Sequence, residues 1–242
     1  MQCLLNNDKG IKEKLSLDYS KNDLLNCRLC DRLVACREEV ARIKKKAYLD
    51  WDYWGKPVPG FGDLNGQVMA VGLAPGAHGS NRTGRMFTGD SSGNFLYAAL
   101  FRAGFASQPN SYSLDDGMQL RNFYLTSICR CVPPQNKPTT QEIINCLPYL
   151  LNEISCMNNL QVIVALGSIA QSHVLKIYSE LSGKKLIFPF THGRVDKLPG
   201  DFPYIISSYH PSRQNTQTGR LTQEMFDHIW EKVNQLIKKN SS

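Results

Sequence analysis

Four short runs constrain the fold of this chain more than any other feature: residues 67–73 (QVMAVGL), 123–128 (FYLTSI), 161–166 (QVIVAL) and 204–208 (YIISS). Each is apolar, rich in β-branched side chains and nearly free of polar alternation, the pattern of a strand buried on both faces. Helical patterns lie between them at 94–103, 140–154 and 168–182, and a last one at 222–239 closes the chain. Residues 23–48 read as one long helix or a helix pair. Thr139-Thr140-Gln141-Glu142, just after Pro138, is a helix start. Strands alternating with helices predict an α/β fold, a mostly parallel sheet with helices on both faces.

In such sheets ligands bind beyond the carboxyl ends of the strands. Unusual sequence follows every predicted strand. The first run leads into a glycine-rich stretch, 72–90, and the second into Cys129 to Pro134 and Asn136. Gly167-Ser168 follows the third, and Tyr209-His210-Pro211-Ser212-Arg213 the fourth. The glycines of 72–90 let backbone amides approach a ligand, and a helix start beyond them favours anions. The stretch fits neither the P-loop nor the dinucleotide fingerprint. It carries polar side chains and an aromatic at close spacing, which suits a flat polar base better than a bare phosphate. After His210, Pro211 fixes a turn, and residues 213–220 form a polar, basic loop able to enter a DNA groove.

Size and composition narrow the class. The chain has 242 residues, 42% of them hydrophobic, enough for one large domain or one domain with a metal-binding lobe. No run of 18 apolar residues is present, and the first twenty residues are broken by charges, so a soluble, cytoplasmic protein is expected. A net charge of +7 favours a polyanionic partner, although the basic runs at 42–46 and 237–239 read equally well as solvated helix faces. Of eight cysteines, Cys27-x2-Cys30 and Cys131-x14-Cys146 supply four thiolates from two distant segments. Such a set holds either tetrahedral zinc or an iron–sulfur cluster, and the spacing does not decide between them. Cys3, Cys36 and Cys156 read as small buried hydrophobes. The aromatic segment 51–62 is expected to pack the metal lobe on the sheet rather than touch DNA.

Taken together, the 72–90 stretch, His210-Pro211-Ser212 and the spacing of Cys27, Cys30, Cys131 and Cys146 resemble the uracil-DNA glycosylase superfamily, and within it the iron–sulfur branch called family 5 or type b. The segment Arg130-Cys131-Val132-Pro133-Pro134-Gln135-Asn136-Lys137-Pro138 carries the same resemblance, which runs from about residue 24 to 230. It implies a single domain over 1–242: a three-layer α/β/α sandwich around a four-stranded parallel sheet, with an N-terminal helical iron–sulfur lobe drawn from residues 23–54. It also implies a [4Fe-4S] cluster on Cys27, Cys30, Cys131 and Cys146. His210 would stabilise charge developing on O2 of the leaving uracil, and Asp90 would position or activate water. Phe87 would stack on the flipped base and Asn136 would hydrogen-bond it. Gly72, Ala74, Gly76, Ala77, His78, Ser212 and Arg213 would complete the substrate contacts. Two departures from the wider superfamily suit the type-b branch. Residues 72–76 (GLAPG) contain no carboxylate or amide, and Ser127 stands where many members have a uracil-reading asparagine.

The expected activity is hydrolytic removal of uracil from DNA in base excision repair, leaving an abasic site. No lysine is obviously placed as an imine-forming nucleophile, so a monofunctional hydrolase is expected. A pocket with few polar readers should accept related bases such as hypoxanthine or 5-substituted uracils. The cluster is expected to be structural. DNA containing uracil or other deaminated bases is the expected partner, and a monomer the expected state. A sliding clamp is a further candidate, with no motif that carries it. The competing readings are a non-catalytic iron–sulfur nucleic-acid-binding module of a repair or replication complex, against which His210, Phe87 and Asp90 argue, and an electron-transfer protein, for which no flavin or nicotinamide fingerprint exists.

Overall fold

The structure, a computed structural model, describes residues 21–239. The first twenty residues, including Cys3, lie outside the described part.

The four apolar runs form strands β2 (Val68–Gly72), β3 (Phe123–Ser127), β4 (Val162–Leu166) and β6 (Tyr204–Ser208), buried along nearly their whole length. They pair in parallel in the order β3-β2-β4-β6. The expected four-stranded parallel sheet is corrected here to a mixed sheet of six. Strand β1 (Phe61–Gly62) adds antiparallel to β3, and β5 (Val195–Lys197) antiparallel to β6. Both are edge strands of two and three residues, too short to leave a periodicity in the sequence.

Strand side chains alternate between two faces. Val68, Ala70, Phe123, Leu125, Val162, Val164 and Ile206 share one apolar cluster with Leu96, Leu100, Phe226 and Trp230. Those four partners come from helices α4 (Ser91–Arg102) and α8 (Gln223–Lys239). Met69, Val71, Tyr124, Ile163, Ala165 and Ile205 share the other cluster with Ile143, Leu150, Val174 and Tyr178. These come from α5 (Thr140–Cys156) and α6 (Ser168–Ser182). The arrangement is three layers, α/β/α. Helix α5 starts at a capping box, in which Thr139 Oγ1 accepts from the Glu142 amide and Glu142 accepts from the Thr139 amide.

Residues 23–48 hold the helix pair rather than one long helix: α1 (Lys21–Leu25) and α2 (Asp31–Ile43), followed by a short 3-10 turn (Lys46–Tyr48). A bidentate contact of Arg32 with Glu142, at 2.6 and 2.7 Å, fastens α2 to the start of α5. Short helices α3 (Ser80–Thr83) and α7 (Arg213–Gln217) lie in the two loops of interest.

The chain leaves β2 towards β3, then crosses back to place β4 on the other side of β2. The carboxyl ends of β2 and β4 therefore flank the switch point at which doubly wound sheets open a crevice. No helix among the described residues is long and apolar enough to cross a membrane.

Candidate active site

Beyond β2 the chain wraps a tight polar loop. Asp90 ends it and caps α4, its Oδ1 accepting from the Gly93 amide at 3.0 Å. The carboxylate is packed against bare glycine backbone. A methyl group on Gly76 would lie 2.8 Å from Asp90 Oδ2, and one on Gly79 would lie 2.7 Å from its Cγ. Burial pushes the Asp90 carboxyl above its ordinary range, while the Gly93 and Ser92 amides and the Arg82 charge pull the other way.

Phe87 has φ 52°, a left-handed conformation unusual for a bulky residue and typical of strained functional loops. Its amide donates to Ser80 Oγ at 2.9 Å. Its ring lies over Gly72, where any side chain would collide with it, since a methyl would sit 2.8 Å from Cζ. The ring stands 5.8 Å from that of His210, tilted by 32°. A base sandwiched between two rings needs about 7 Å, twice the contact distance. The two rings therefore make a corner, in which a base can stack on one and meet the other at its edge.

His210 follows β6 and reaches the switch point, its Cβ 3.6 Å from where a side chain on Gly167 would begin. Burial alone pushes its pKa down to about 4, so the imidazole is neutral at physiological pH. Asn215 Nδ2 donates to the His210 carbonyl at 2.9 Å. Ser212 caps α7, its Oγ accepting from the Asn215 amide at 3.3 Å, and Arg213 is exposed.

The residues expected at the site thus separate. Gly72, Phe87 and His210 meet at the sheet's carboxyl edge, and Gly76 packs against Asp90 in the loop beyond β2. His78 instead places Nδ1 3.1 Å from Tyr53 Oη. Ala74 packs on the α5–α6 side of the core, and Ala77 is half-buried. Asn136 is exposed on a 3-10 turn (Pro134–Asn136), with φ 58°. Gly79 was not singled out, although it sits in the glycine-rich stretch. Only the fold reveals that it faces Asp90.

Arg82 locks this loop. It donates from Nε to the His78 carbonyl and from Nη2 to the Gly89 carbonyl, both at 2.8 Å. Its guanidinium lies 4.0 Å from the ring centres of both Tyr48 and Trp51. The Trp54 and Gly55 amides donate to the carbonyls of Arg82 and Asn81. Segment 51–62 therefore packs on this loop, a partner that the expected brace between metal lobe and sheet did not include.

Cys27, Cys30, Cys131 and Cys146 all line a single cavity, with Leu24, Leu33, Val34 and Tyr149 among its apolar walls. Three of the sulfurs receive N–H donors: Cys131 from Arg37 Nη1 at 3.0 Å, Cys146 from the Arg130 amide at 3.2 Å and Cys30 from Asn145 Nδ2 at 3.4 Å. Cys129 hydrogen-bonds to Cys146, holding that thiol below its usual range. Among the described residues, no three of His, Cys, Asp and Glu stand close enough to hold one metal ion. Cys36 is half-buried rather than fully buried, and Cys156 is half-buried and disulfide-bonded rather than a small hydrophobe. Sequence reasoning also missed Arg37, whose position one helical turn beyond Leu33 gave no hint of a sulfur partner.

Residues 59–234 match the family model described as "Uracil DNA glycosylase superfamily". Proteins named type-5 uracil-DNA glycosylase are similar over most of their length. The one from Thermus thermophilus is 51% identical over 84% of this chain and 90% of its own. Those from Pyrobaculum aerophilum and Mycobacterium leprae are 47% and 46% identical, over 84% and 87% of this chain and 85% and 91% of theirs. The matched span takes in all six strands together with both loops that meet at the switch point, and the chain belongs to the uracil-DNA glycosylase superfamily, within its type-5 branch.

Proposed function

We propose that the protein is a monofunctional uracil-DNA glycosylase that flips a deaminated base out of DNA and hydrolyses its N-glycosidic bond, leaving an abasic site. The observation that carries this reading is the corner made by Phe87 and the half-buried, neutral His210 at the switch point, with Asp90 in its glycine cradle on the same loop as Phe87. Flipping costs a few kcal/mol, least for a mispaired base such as uracil opposite guanine. The extruded ring stacks on Phe87, and Asn136, exposed on its turn, is free to reach the base.

Bond cleavage leaves positive charge on the sugar and negative charge on the base. An N–H of neutral imidazole aimed at O2 stabilises that anion without first giving up a proton. Asp90, with its carboxyl pushed up by burial, is a stronger base than a solvated carboxylate and holds the attacking water. Residues 72–76 carry no polar side chain to read the base, which supports acceptance of hypoxanthine and 5-substituted uracils beside uracil.

The cysteine cavity fits a [4Fe-4S] cluster on Cys27, Cys30, Cys131 and Cys146. Its three N–H···S donors are the contacts thiolate ligands receive, and a cubane takes one thiolate per iron, so its ligands need not meet at one point as tetrahedral zinc requires. When bound, the cluster supplies a structural cross-link between the α1–α2 segment and the start of α5. No step of the reaction passes through it. The protein acts as a monomer on the basic surface implied by its charge of +7.

The test is incubation of iron-loaded protein with a duplex carrying one U·G mismatch, followed by alkali and strand separation. Cleavage at uracil is expected, together with a loss of about 10²–10³ in rate for His210→Ala. An uncut duplex, or a DNA adduct trapped by borohydride, overturns the reading.

A further inference from the structure

His192 lies in the loop leading to β5, outside every motif the activity uses. Its ring stacks on Tyr209, with centroids 4.9 Å apart and planes 15° apart. Both of its nitrogens are engaged. Nε2 lies 3.2 Å from the Met225 carbonyl oxygen, which can only accept, so Nε2 carries the proton. Nδ1 is then the acceptor for the Tyr209 amide, at 3.1 Å. The loop itself is anchored on both sides. The Gly193 amide donates to the Ser207 carbonyl of β6, and Lys232 Nζ of α8 donates to the Gly193 carbonyl, both at 2.8 Å. The Arg220 guanidinium, from the basic loop beyond α7, lies 4.7 Å from the Tyr209 ring centre.

Tyr209 immediately precedes His210. Its amide, held by His192, and its carbonyl, which accepts from Ser208 Oγ at 2.9 Å, are the hydrogen-bonded points on the β6 side of the histidine, as the Asn215 contact is the first beyond it. We propose that His192 is a positioning residue for His210, aiming its imidazole at the base by fixing the chain at Tyr209 from a site that touches no substrate. This rests on the reading that His210 acts on the leaving base. The physical reason is that, among the described residues, none donates a hydrogen bond to the His210 imidazole or accepts one from it, its pKa shift arising from burial alone. Its direction is set by its backbone together with the packing of its ring against Phe87. A reacting group misplaced by 1 Å costs on the order of 10²-fold in rate.

The experiment is a double-mutant cycle on the iron-loaded full chain. It reads single-turnover excision from a U·G duplex and affinity for a duplex carrying a non-cleavable fluorinated deoxyuridine. His192→Phe keeps the stack and loses the acceptor. It is expected to slow excision on the order of tenfold or more with unchanged affinity, and to slow it no further in a His210→Ala background. His192→Asn offers an amide oxygen to Tyr209 and is expected to remain within about threefold of wild type, the scale of one altered hydrogen bond. Equal slowing by His192→Phe in both backgrounds, affinity falling in step with rate, or Asn worse than Phe overturns the proposal. If His210→Ala alone is harmless, the reading of His210 fails and this proposal falls with it. If His210→Ala is damaging and His192→Phe adds to it in full, only this proposal falls.

Discussion

The cradle around Asp90 makes a sharp prediction. In Gly79→Ala the new methyl would stand 2.7 Å from Asp90 Cγ and 3.1 Å from its Cβ, with the carboxylate oxygen Oδ2 nearer still. Carbon atoms rest at about 3.5–4.0 Å, so the carboxyl must retreat by about 1 Å. The Gly76 and Gly79 side is closed to it, and retreat towards Gly93 compresses the capping hydrogen bond of α4. A displacement of that size costs up to about 10²-fold in a reaction that depends on the group's position. A weakened cap costs about 1 kcal/mol of stability. Gly79→Ala is therefore expected to fold, to melt slightly earlier in denaturant and to excise uracil 10- to 100-fold more slowly, in about the proportion these two effects allow. In Gly76→Ala the methyl meets only Oδ2, at 2.8 Å, which a small rotation relieves, so its loss should be smaller. Single-turnover alkali-cleavage assays on a U·G duplex, beside urea melts, read both quantities. A Gly79→Ala protein within threefold of wild type, or Gly76→Ala the more damaged of the two, would refute the idea that Asp90's position limits the rate.

Other perturbations follow from the same geometry. Phe87→Ala removes the stacking surface and should weaken binding of a non-cleavable uracil duplex by roughly 10- to 100-fold, as stacking contributes about 1–3 kcal/mol per base; an unchanged affinity would place the base elsewhere. His210 binds its proton less tightly folded than unfolded, with a pKa of about 4 against about 6.5 for a free histidine. The unfolded chain thus takes up more protons between those values, and stability should fall as pH drops from about 6.5 to about 4. In His210→Leu that slope should flatten, and urea melts across the window decide it. On the proposed cluster ligation, Cys131→Ser, which removes the sulfur facing Arg37, should give protein without iron–sulfur absorbance or iron where the wild type carries both, and lower the melting temperature; iron retained by the variant would remove Cys131 from the ligand set.

The central sheet was legible in the sequence because its strands are buried on both faces. Burial of that kind demands a continuous apolar run whatever the surroundings, and the limits of Tyr204–Ser208 and Ser168–Ser182 could be read directly. Loop chemistry was legible for a related reason. Glycines clustered after a buried strand, and a histidine followed by proline after another, are costly unless something needs them there. Partnership was not legible. Edge strands β1 and β5 exist only because β3 and β6 offer them unpaired backbone, a property of the neighbours rather than of residues 61–62 or 195–197. The division of labour within the 72–90 stretch also belongs to the tertiary structure. His78 turns to Tyr53 and Arg82 to the aromatic pair, while Phe87 turns to His210. The four cysteines could be listed from their spacing, yet their common cavity and N–H donors arise only when α2 docks against α5. Apolar runs and glycine clusters are local necessities and so are written locally. Which side chains meet depends on how distant segments are brought together, and no single segment encodes that.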